Sequence, residues 1–386
     1  MNLEKRIKRH VTGRRQEFFA VTLPGFQQLC ADELATVSDT LAAKQVISGG
    51  VSFEGRLSDL YLAALHCRIP VRVMMRLARF KATNFGHLKG KTQEIPWELF
   101  LAEGVMPVCH VTARQSRLYH TSAIAGHIAQ GIAARWSELG AAPEPCQSQV
   151  LFVRLEKDAV TLSLDGCGAP LYQRGLKPHT AKAPLRETTA AGILSLAGFT
   201  PDDALIDPMC GSGTFSLEAA LMAKAVPPGF HRDFAFMQWP AFRPRQWAHL
   251  QKVAGQRIRR LNHPLIQASD SDEKAVAQLR DGIIRNRMED AITVSKADFF
   301  DLQPQGRPPE KGVIVLNPPY GRRLTAKGSL EGQYREIAAK LKSDFKGWRV
   351  ALLVPRKHLI RNLGLSLKSI PLQHGGLNLV LLVGRI

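Results

Sequence analysis

Asn317-Pro318-Pro319-Tyr320 is a stretch whose residue types, in that order, can hold a flat molecule bearing an amino group. The Asn317 side-chain oxygen and the Pro318 carbonyl both accept hydrogen bonds, and an exocyclic NH2 has two hydrogens to give. Tyr320 offers a ring face for stacking. Pro318 and Pro319 lack backbone donors and hold the chain extended, so the acceptors sit on a stiff support. A proline-rich turn after a buried strand would show the same residues with no chemical purpose. A second stretch upstream weighs against that plainer reading.

That stretch is Asp207-Pro208-Met209-Cys210-Gly211-Ser212-Gly213-Thr214. Gly211 and Gly213 let a ligand come close to the backbone. A dinucleotide-binding turn would read G-x-G-x-x-G, but Phe215, Ser216 and Leu217 follow Gly213, so the third glycine is missing. Asp207 would also repel a pyrophosphate. It suits a cationic or zwitterionic ligand, and S-adenosyl-L-methionine, with its sulfonium, ammonium and ribose, fits that description. Asp270 is the candidate for the ribose hydroxyls, because a carboxylate accepts from vicinal OH groups. Asp272 reads as the cap of a helix over 273–287, and the plainer alternative makes both acids caps. Asp298 could accept from an adenine amine with Phe299 against the ring, or simply close a turn. Glu187 lies in the first turn of a helix beginning at Leu185, at the positive end of its dipole. The expected cofactor contacts are therefore Glu187, Asp207, Pro208, Cys210, Gly211, Gly213, Thr214, Asp270, Asp298, Phe299 and Asn317. The expected catalytic loop is Asn317, Pro318, Pro319 and Tyr320.

These residues need strands to present them. Asp207 follows the apolar run Ala204-Leu205-Ile206, and its turn leads into a helix over 215–224. Strand, acid, glycine turn and helix make the first β-α turn of a doubly wound sheet. Val313-Ile314-Val315-Leu316 reads as a strand buried on both faces. A strand over 265–268 and a third one ended by residues 294–300 carry the acids, and such sheets bind ligands beyond the C-terminal ends of their strands. A helix over 334–345, a strand over 348–354 and an antiparallel pair near Pro371-Leu372 and 377–383 complete the expectation. The fold class expected is α/β, a doubly wound Rossmann-like sheet preceded by α+β modules.

Composition bounds the partners. Lys and Arg number 52 against 33 Asp and Glu, a net charge of +19, which favours a polyanion. No apolar run reaches the ~20 residues needed to span a bilayer, so no membrane role is expected. The six cysteines show no C-x-x-C spacing, which argues against a zinc cluster and for a reducing, cytoplasmic setting. No metal site is expected. Residues 1–16 read as a flexible basic arm without the apolar segment of a secretory signal. Strand 18–22, helix 26–34 and strand 51–55 form a β-α-β unit. A strand over 71–80 partly alternates arginine with apolar residues and reads equally as a basic face or as an ordinary solvated strand. Residues 227–263 mix Phe230, Phe234, Phe236, Trp239, Phe242 and Trp247 with arginines. Such mixtures bind splayed nucleic acid or simply pack a peripheral helix, and both readings stay open.

Strand 105–113, the turn Arg114-Gln115-Ser116-Arg117-Leu118-Tyr119-His120-Thr121, the helix after it and the hairpin ending in Ser163-Leu164-Asp165-Gly166 resemble a THUMP domain, an RNA-binding module. The unit ending in Gly49-Gly50-Val51-Ser52-Phe53-Glu54-Gly55 resembles the ferredoxin-like module that accompanies it. Together with the glycine turn and Asn-Pro-Pro-Tyr, the chain after its first residues resembles the THUMP-containing RNA guanine-N2 methyltransferases of the large-subunit ribosomal RNA type. The resemblance implies a ferredoxin-like module over 17–57, a THUMP domain over 58–167 and a class I methyltransferase domain over 168–386. It also implies RNA as partner, 23S ribosomal RNA as substrate and the guanine N2 amine as target. Transfer RNA, an adenine N6 amine, a protein glutamine amide, or an assembly factor without catalysis remain the rival readings. Arg322 departs from the acidic residue that relatives often carry after the glycine.

Overall fold

The computed structural model describes residues 2–38, 43–176, 185–304, 312–319, 329–356, 358–359, 363–374 and 376–386. They divide into two units. The first takes Met1–Thr22, Cys30–Leu171 and His231–Lys252; the second takes Leu23–Leu29, Tyr172–Phe230 and Val253–Ile386. Residues 231–252 thus fold with the N-terminal half, although the sequence places them inside the C-terminal one.

In the first unit the strands are β1 (Gln16–Val21), β2 (Ala43–Ile47), β3 (Gly50–Gly55), β4 (Arg72–Lys81), β5 (Val105–Arg114), β6 (Glu144–Glu156) and β7 (Ala159–Asp165). They form one seven-stranded sheet in the order β2-β3-β1-β4-β7-β6-β5, with β5 and β6 parallel. Ile124, Ile128, Ile132 and Trp136 recur at helical spacing along Thr121–Glu138 and are buried. The arginines of β4 are engaged inside the unit. Arg72 pairs with Asp165 and donates to the Gly168 carbonyl at 2.7 Å. Arg76 donates to Ser163 Oγ at 2.8 Å and lies over the Phe19 ring, and Arg79 pairs with Glu17.

The N-terminal residues are not a flexible arm. Leu3–Ile7 is an α-helix that continues as a π-helical turn over Lys8–Thr12, and Ile7 and Val11 are buried. Arg6 and Arg135 each reach Glu98 Oε1 at 2.7 Å. Burial pushes the Glu98 carboxyl up, but the charged hydrogen bonds from Arg135 and Arg6 outweigh it and hold the group below the ordinary carboxylate value. A carboxylate with a lowered folded-state pKa stabilises the fold above its unfolded pKa and loses that contribution as pH falls through the folded value. Urea midpoints should therefore fall more steeply below about pH 4.5 for the wild type than for Glu98→Gln; parallel curves would refute the linkage.

The aromatic side chains of residues 231–252 point inward. Phe236 lies 4.7 Å and Phe242 5.7 Å from Tyr61, ring centre to ring centre, and Trp247 meets the same group edge-on. Trp239 Nε1 donates to Gln149 Oε1 at 3.0 Å. Of the two readings the sequence leaves open, packing is the one these rings follow.

The second unit is built on β8 (Ala204–Asp207), β9 (Ile266–Asp270), β10 (Ile292–Lys296), β11 (Gly312–Leu316), β12 (Arg349–Val354), β13 (Lys368–His374) and β14 (Leu377–Arg385). Their order is β10-β9-β8-β11-β12-β14-β13. The first five run parallel; β14 runs antiparallel to β12, and β13 to β14. The chain leaves β8 toward β9 and β10, then returns to β11 on the other side. That reversal between β8 and β11 is the topological switch point, where doubly wound sheets open a crevice. Tyr334, Ile337, Leu341, Phe345 and Trp348 pack with the strands into the core on one side. All six cysteines are free thiols. Among the described residues no helix is long and apolar enough to cross a membrane, and no group of His, Cys, Asp and Glu could hold a metal.

Candidate active site

Parallel register brings the strand-tip residues to one edge. Asp207 pairs with Ala268 on β9, and Lys296 on β10 pairs with Asp270. Ile314 on β11 pairs with Ile206, so Asn317 stands two residues, roughly 6–7 Å, beyond the level of Asp207. Asp207 and Asp270 thus end two strands, and Asp298 and Asn317 lie just beyond the ends of two neighbouring ones.

The glycine turn is fixed from three sides. Asp207 is 1% exposed, and Ser216 Oγ donates to its Oδ2 at 2.6 Å. Cys210 N–H donates to the Ser269 carbonyl at 3.0 Å, and Gly213 N–H to the Cys210 carbonyl at 2.7 Å. Pro208 and Thr214 are buried beside them. Asp270 takes the Gly211 N–H on Oδ2 and the Asp272 N–H on Oδ1, both at 2.9 Å. Each oxygen keeps a lone pair for a further donor. Asp272 caps the helix Glu273–Arg285 by accepting from Lys274 N–H.

Gly211 and Gly213 both hold positive φ, 52° and 74°, a region that costs other residues ~1–2 kcal/mol. Their surroundings differ. A Cβ on Gly213 would stand 2.3 Å from Leu279 Cδ1, whereas one on Gly211 meets nothing within 4 Å. Gly213→Ala should therefore destabilise the second unit, read as a drop in unfolding temperature. Gly211→Ala should leave a folded protein whose affinity for S-adenosylhomocysteine falls at least tenfold by calorimetry; unchanged affinity would show that no ligand uses the open side of the turn.

Glu187 opens the helix Glu187–Leu196, which packs against the helix Thr214–Ala223 that follows the glycine turn. Asp298 Oδ1 accepts from Phe300 N–H at 2.9 Å, the turn geometry the sequence allowed. Phe299 requires a correction. Its ring is 2% exposed, lies in the core cluster and stacks on Phe345, so it has no face for an adenine. The short helical turn Phe299–Asp301 points Phe299 into the sheet and leaves Phe300 exposed.

Leu316 is fully buried, Pro318 is buried and Pro319 is exposed. Asn317 Oδ1 is buried without a hydrogen-bond partner among the described residues. Such an acceptor costs about 1–3 kcal/mol and is relieved by any donor that enters. Tyr320, Gly321 and Arg322 lie outside the described residues.

Three features escape a reading by motif. Ser216 holds Asp207, and Leu279 fills the space under Gly213. Arg174 makes two contacts of 3.4 Å to Glu218, with both side chains buried. Glu218 was the detectable one: it is the single charge in the apolar helix Thr214–Ala223.

Residues 174–377 match the family model described as RMKL-like, methyltransferase domain. The chain belongs to the RMKL-like methyltransferase family. Residues 17–74 match the RlmL ferredoxin-like domain, through the start of β4. A Synechocystis protein provisionally named an RNA methyltransferase is 31% identical over 95% of both chains. The ribosomal RNA large subunit methyltransferase K/L of Methylococcus capsulatus is 33% identical over 91% of this chain and 48% of its own. The chain spans about half the length of the K/L relatives it matches. Among solved structures SMU.472, provisionally named a methyltransferase and crystallised with S-adenosylhomocysteine, is 25% identical with a TM-score of 0.86, covering 97% of this chain and 99% of that one.

Proposed function

We propose that this RMKL-like methyltransferase moves a methyl group from S-adenosyl-L-methionine to the exocyclic N2 amine of a guanine in RNA, with 23S ribosomal RNA as substrate and the cytoplasm as its setting. The observation that carries the reading is the buried Asn317 Oδ1, without a hydrogen-bond partner among the described residues, on the same sheet edge as the glycine turn. The names of the Synechocystis and K/L relatives support RNA, and the complex of SMU.472 supports the cofactor.

The residues present fit that cofactor. Asp207 and Asp270 bring negative charge to a cationic ligand, and the open side of Gly211 leaves room beside the backbone. Cys210, Gly213 and Thr214 belong to the same turn, Asp298 follows a neighbouring strand, and Glu187 opens the helix packed on the one after the turn; they complete the proposed set. When bound, S-adenosyl-L-methionine supplies an electrophilic methyl carbon on a sulfonium. The rest falls to the chain. A purine amine is a weak nucleophile because its lone pair is delocalised into the ring. Asn317 Oδ1 and the Pro318 carbonyl take its two hydrogens and turn the nitrogen toward the cofactor. Pro319 keeps this support stiff, and Tyr320 stacks on the base, a contact worth about 1–3 kcal/mol. Positioning then supplies much of the rate. No base need remove a proton first, since the proton leaves after the bond forms. A base inside an RNA helix must first leave the stack.

Tritium transfer from labelled S-adenosyl-L-methionine to RNA, DNA and protein, run side by side, tests the substrate class. Label in RNA alone is expected. Label confined to DNA or protein would overturn the reading.

A further inference from the structure

Residues 231–252 mix rings with cations, and the fold sorts the two. Trp247 is buried and Phe242 faces Tyr61, while Arg243, Arg245, His249 and Lys252 are exposed. Arg245, His249 and Lys252 stand at i, i+4 and i+7 on the helix Pro244–Gly255, hence on one face, and span about 10 Å. Arg243 reaches Thr12 Oγ1 at 3.4 Å, which joins this helix to the N-terminal turn and its exposed Arg14 and Arg15. Among the described residues none of these six forms an ion pair with a carboxylate. Other surface cations do: half-buried Lys91 pairs with Glu94, and exposed Arg154 with Glu156.

We infer that this surface of the first unit, built by Arg14, Arg15, Arg243, Arg245, His249 and Lys252, is a binding site for the phosphate backbone of double-helical RNA. The inference rests on the RNA reading above and adds to it where the backbone is held. Charge complementarity selects a polyanion. Phe234, Phe236, Trp239 and Trp247 are buried and Phe242 is half-buried, so His249 is the one exposed ring among the six residues of the patch; that favours the duplex over a single strand, since single-strand sites stack successive splayed bases on several aromatic side chains. Double-stranded RNA is held by shape and phosphate. Such contacts position the substrate without reading its sequence. Binding here therefore depends on salt and is indifferent to base order.

The test measures the Kd of the full chain for a 20-base-pair RNA duplex and for a single strand of the same length, against salt concentration. Each phosphate contact adds about 0.7–0.9 to the slope of log K on log salt. Arg245→Ala with Lys252→Ala should flatten the duplex slope by about 2, equally for duplexes of different sequence. S-adenosylhomocysteine binding and circular dichroism should stay those of the wild type. Lys91→Ala should leave the slope unchanged. An unaltered slope in the double variant, an equal loss with Lys91→Ala, or a loss confined to the single strand would each overturn this site and leave the RNA reading standing. A wild-type chain that neither binds RNA nor methylates it would overturn the reading beneath and the site with it.

Discussion

Asn317→Ala is expected to lower single-turnover methyl transfer by about 10²- to 10³-fold, the scale of losing one preorganised polar group at a reacting centre. RNA affinity should change by less than about twofold, because the proposed phosphate-backbone site lies elsewhere on the chain. Stability should not fall. The Asn317 oxygen is buried and has no hydrogen-bond partner among the described residues, and its removal relieves a cost of about 1–3 kcal/mol. An inactive protein that binds RNA and melts no lower than the wild type is the combined signature. Rapid-quench rates, filter binding and thermal melting measure the three parts. Parallel loss of activity and RNA binding would count against a role in orienting the amine.

The second large effect is expected at Asp270. Its carboxylate holds Gly211 N–H and Asp272 N–H, so it orders the glycine turn and also offers lone pairs to a ligand. Asp270→Ala removes charged acceptors worth about 1.5–3 kcal/mol each. Affinity for S-adenosylhomocysteine should fall about 100-fold, or roughly 2.7 kcal/mol. Asp272→Ala is the comparison: it removes a helix cap worth about 1 kcal/mol and should lower the melting temperature with little change in affinity. Equal affinities for the two variants by calorimetry would remove Asp270 from the cofactor site.

What the sequence shows of this molecule divides along physical lines. The strands β8 and β11 are legible because apolar runs end abruptly in Asp207-Pro208 and Asn317-Pro318, and parallel topology then carries their tips to one edge. Asp272 as a cap is legible because capping is local. The bond between Asp270 and Gly211 joins residues 59 apart, and no local pattern announces it. Phe299 shows the same limit. Beside Phe300 it reads as either member of a pair, and only the turn decides which ring enters the core. The N-terminal helix looks like a solvated arm because its few apolar residues, Ile7 and Val11, gain burial only against a distant partner surface. The strand β2 and the helix Phe85–Gln93 carry weak periodicity and go unread. The strand β6 begins at Glu144, where Pro145 suggests a loop, since proline is tolerated near the start of a strand. The insertion was legible in composition and not in placement: hydropathy marks its rings for burial without naming the unit that buries them.

In the reaction proposed above, Asn317 and Pro318 hold a guanine amine for a methyl donor. Its most direct test is the identity of the methylated nucleoside. Ribosomal RNA stripped of the mark is incubated with the protein and labelled S-adenosyl-L-methionine, digested to nucleosides and separated by mass spectrometry. N2-methylguanosine from 23S RNA is expected with the wild type, and its loss with Asn317→Ala. Labelled N6-methyladenosine, or no methylated nucleoside from a protein that binds both RNA and cofactor, would contradict it.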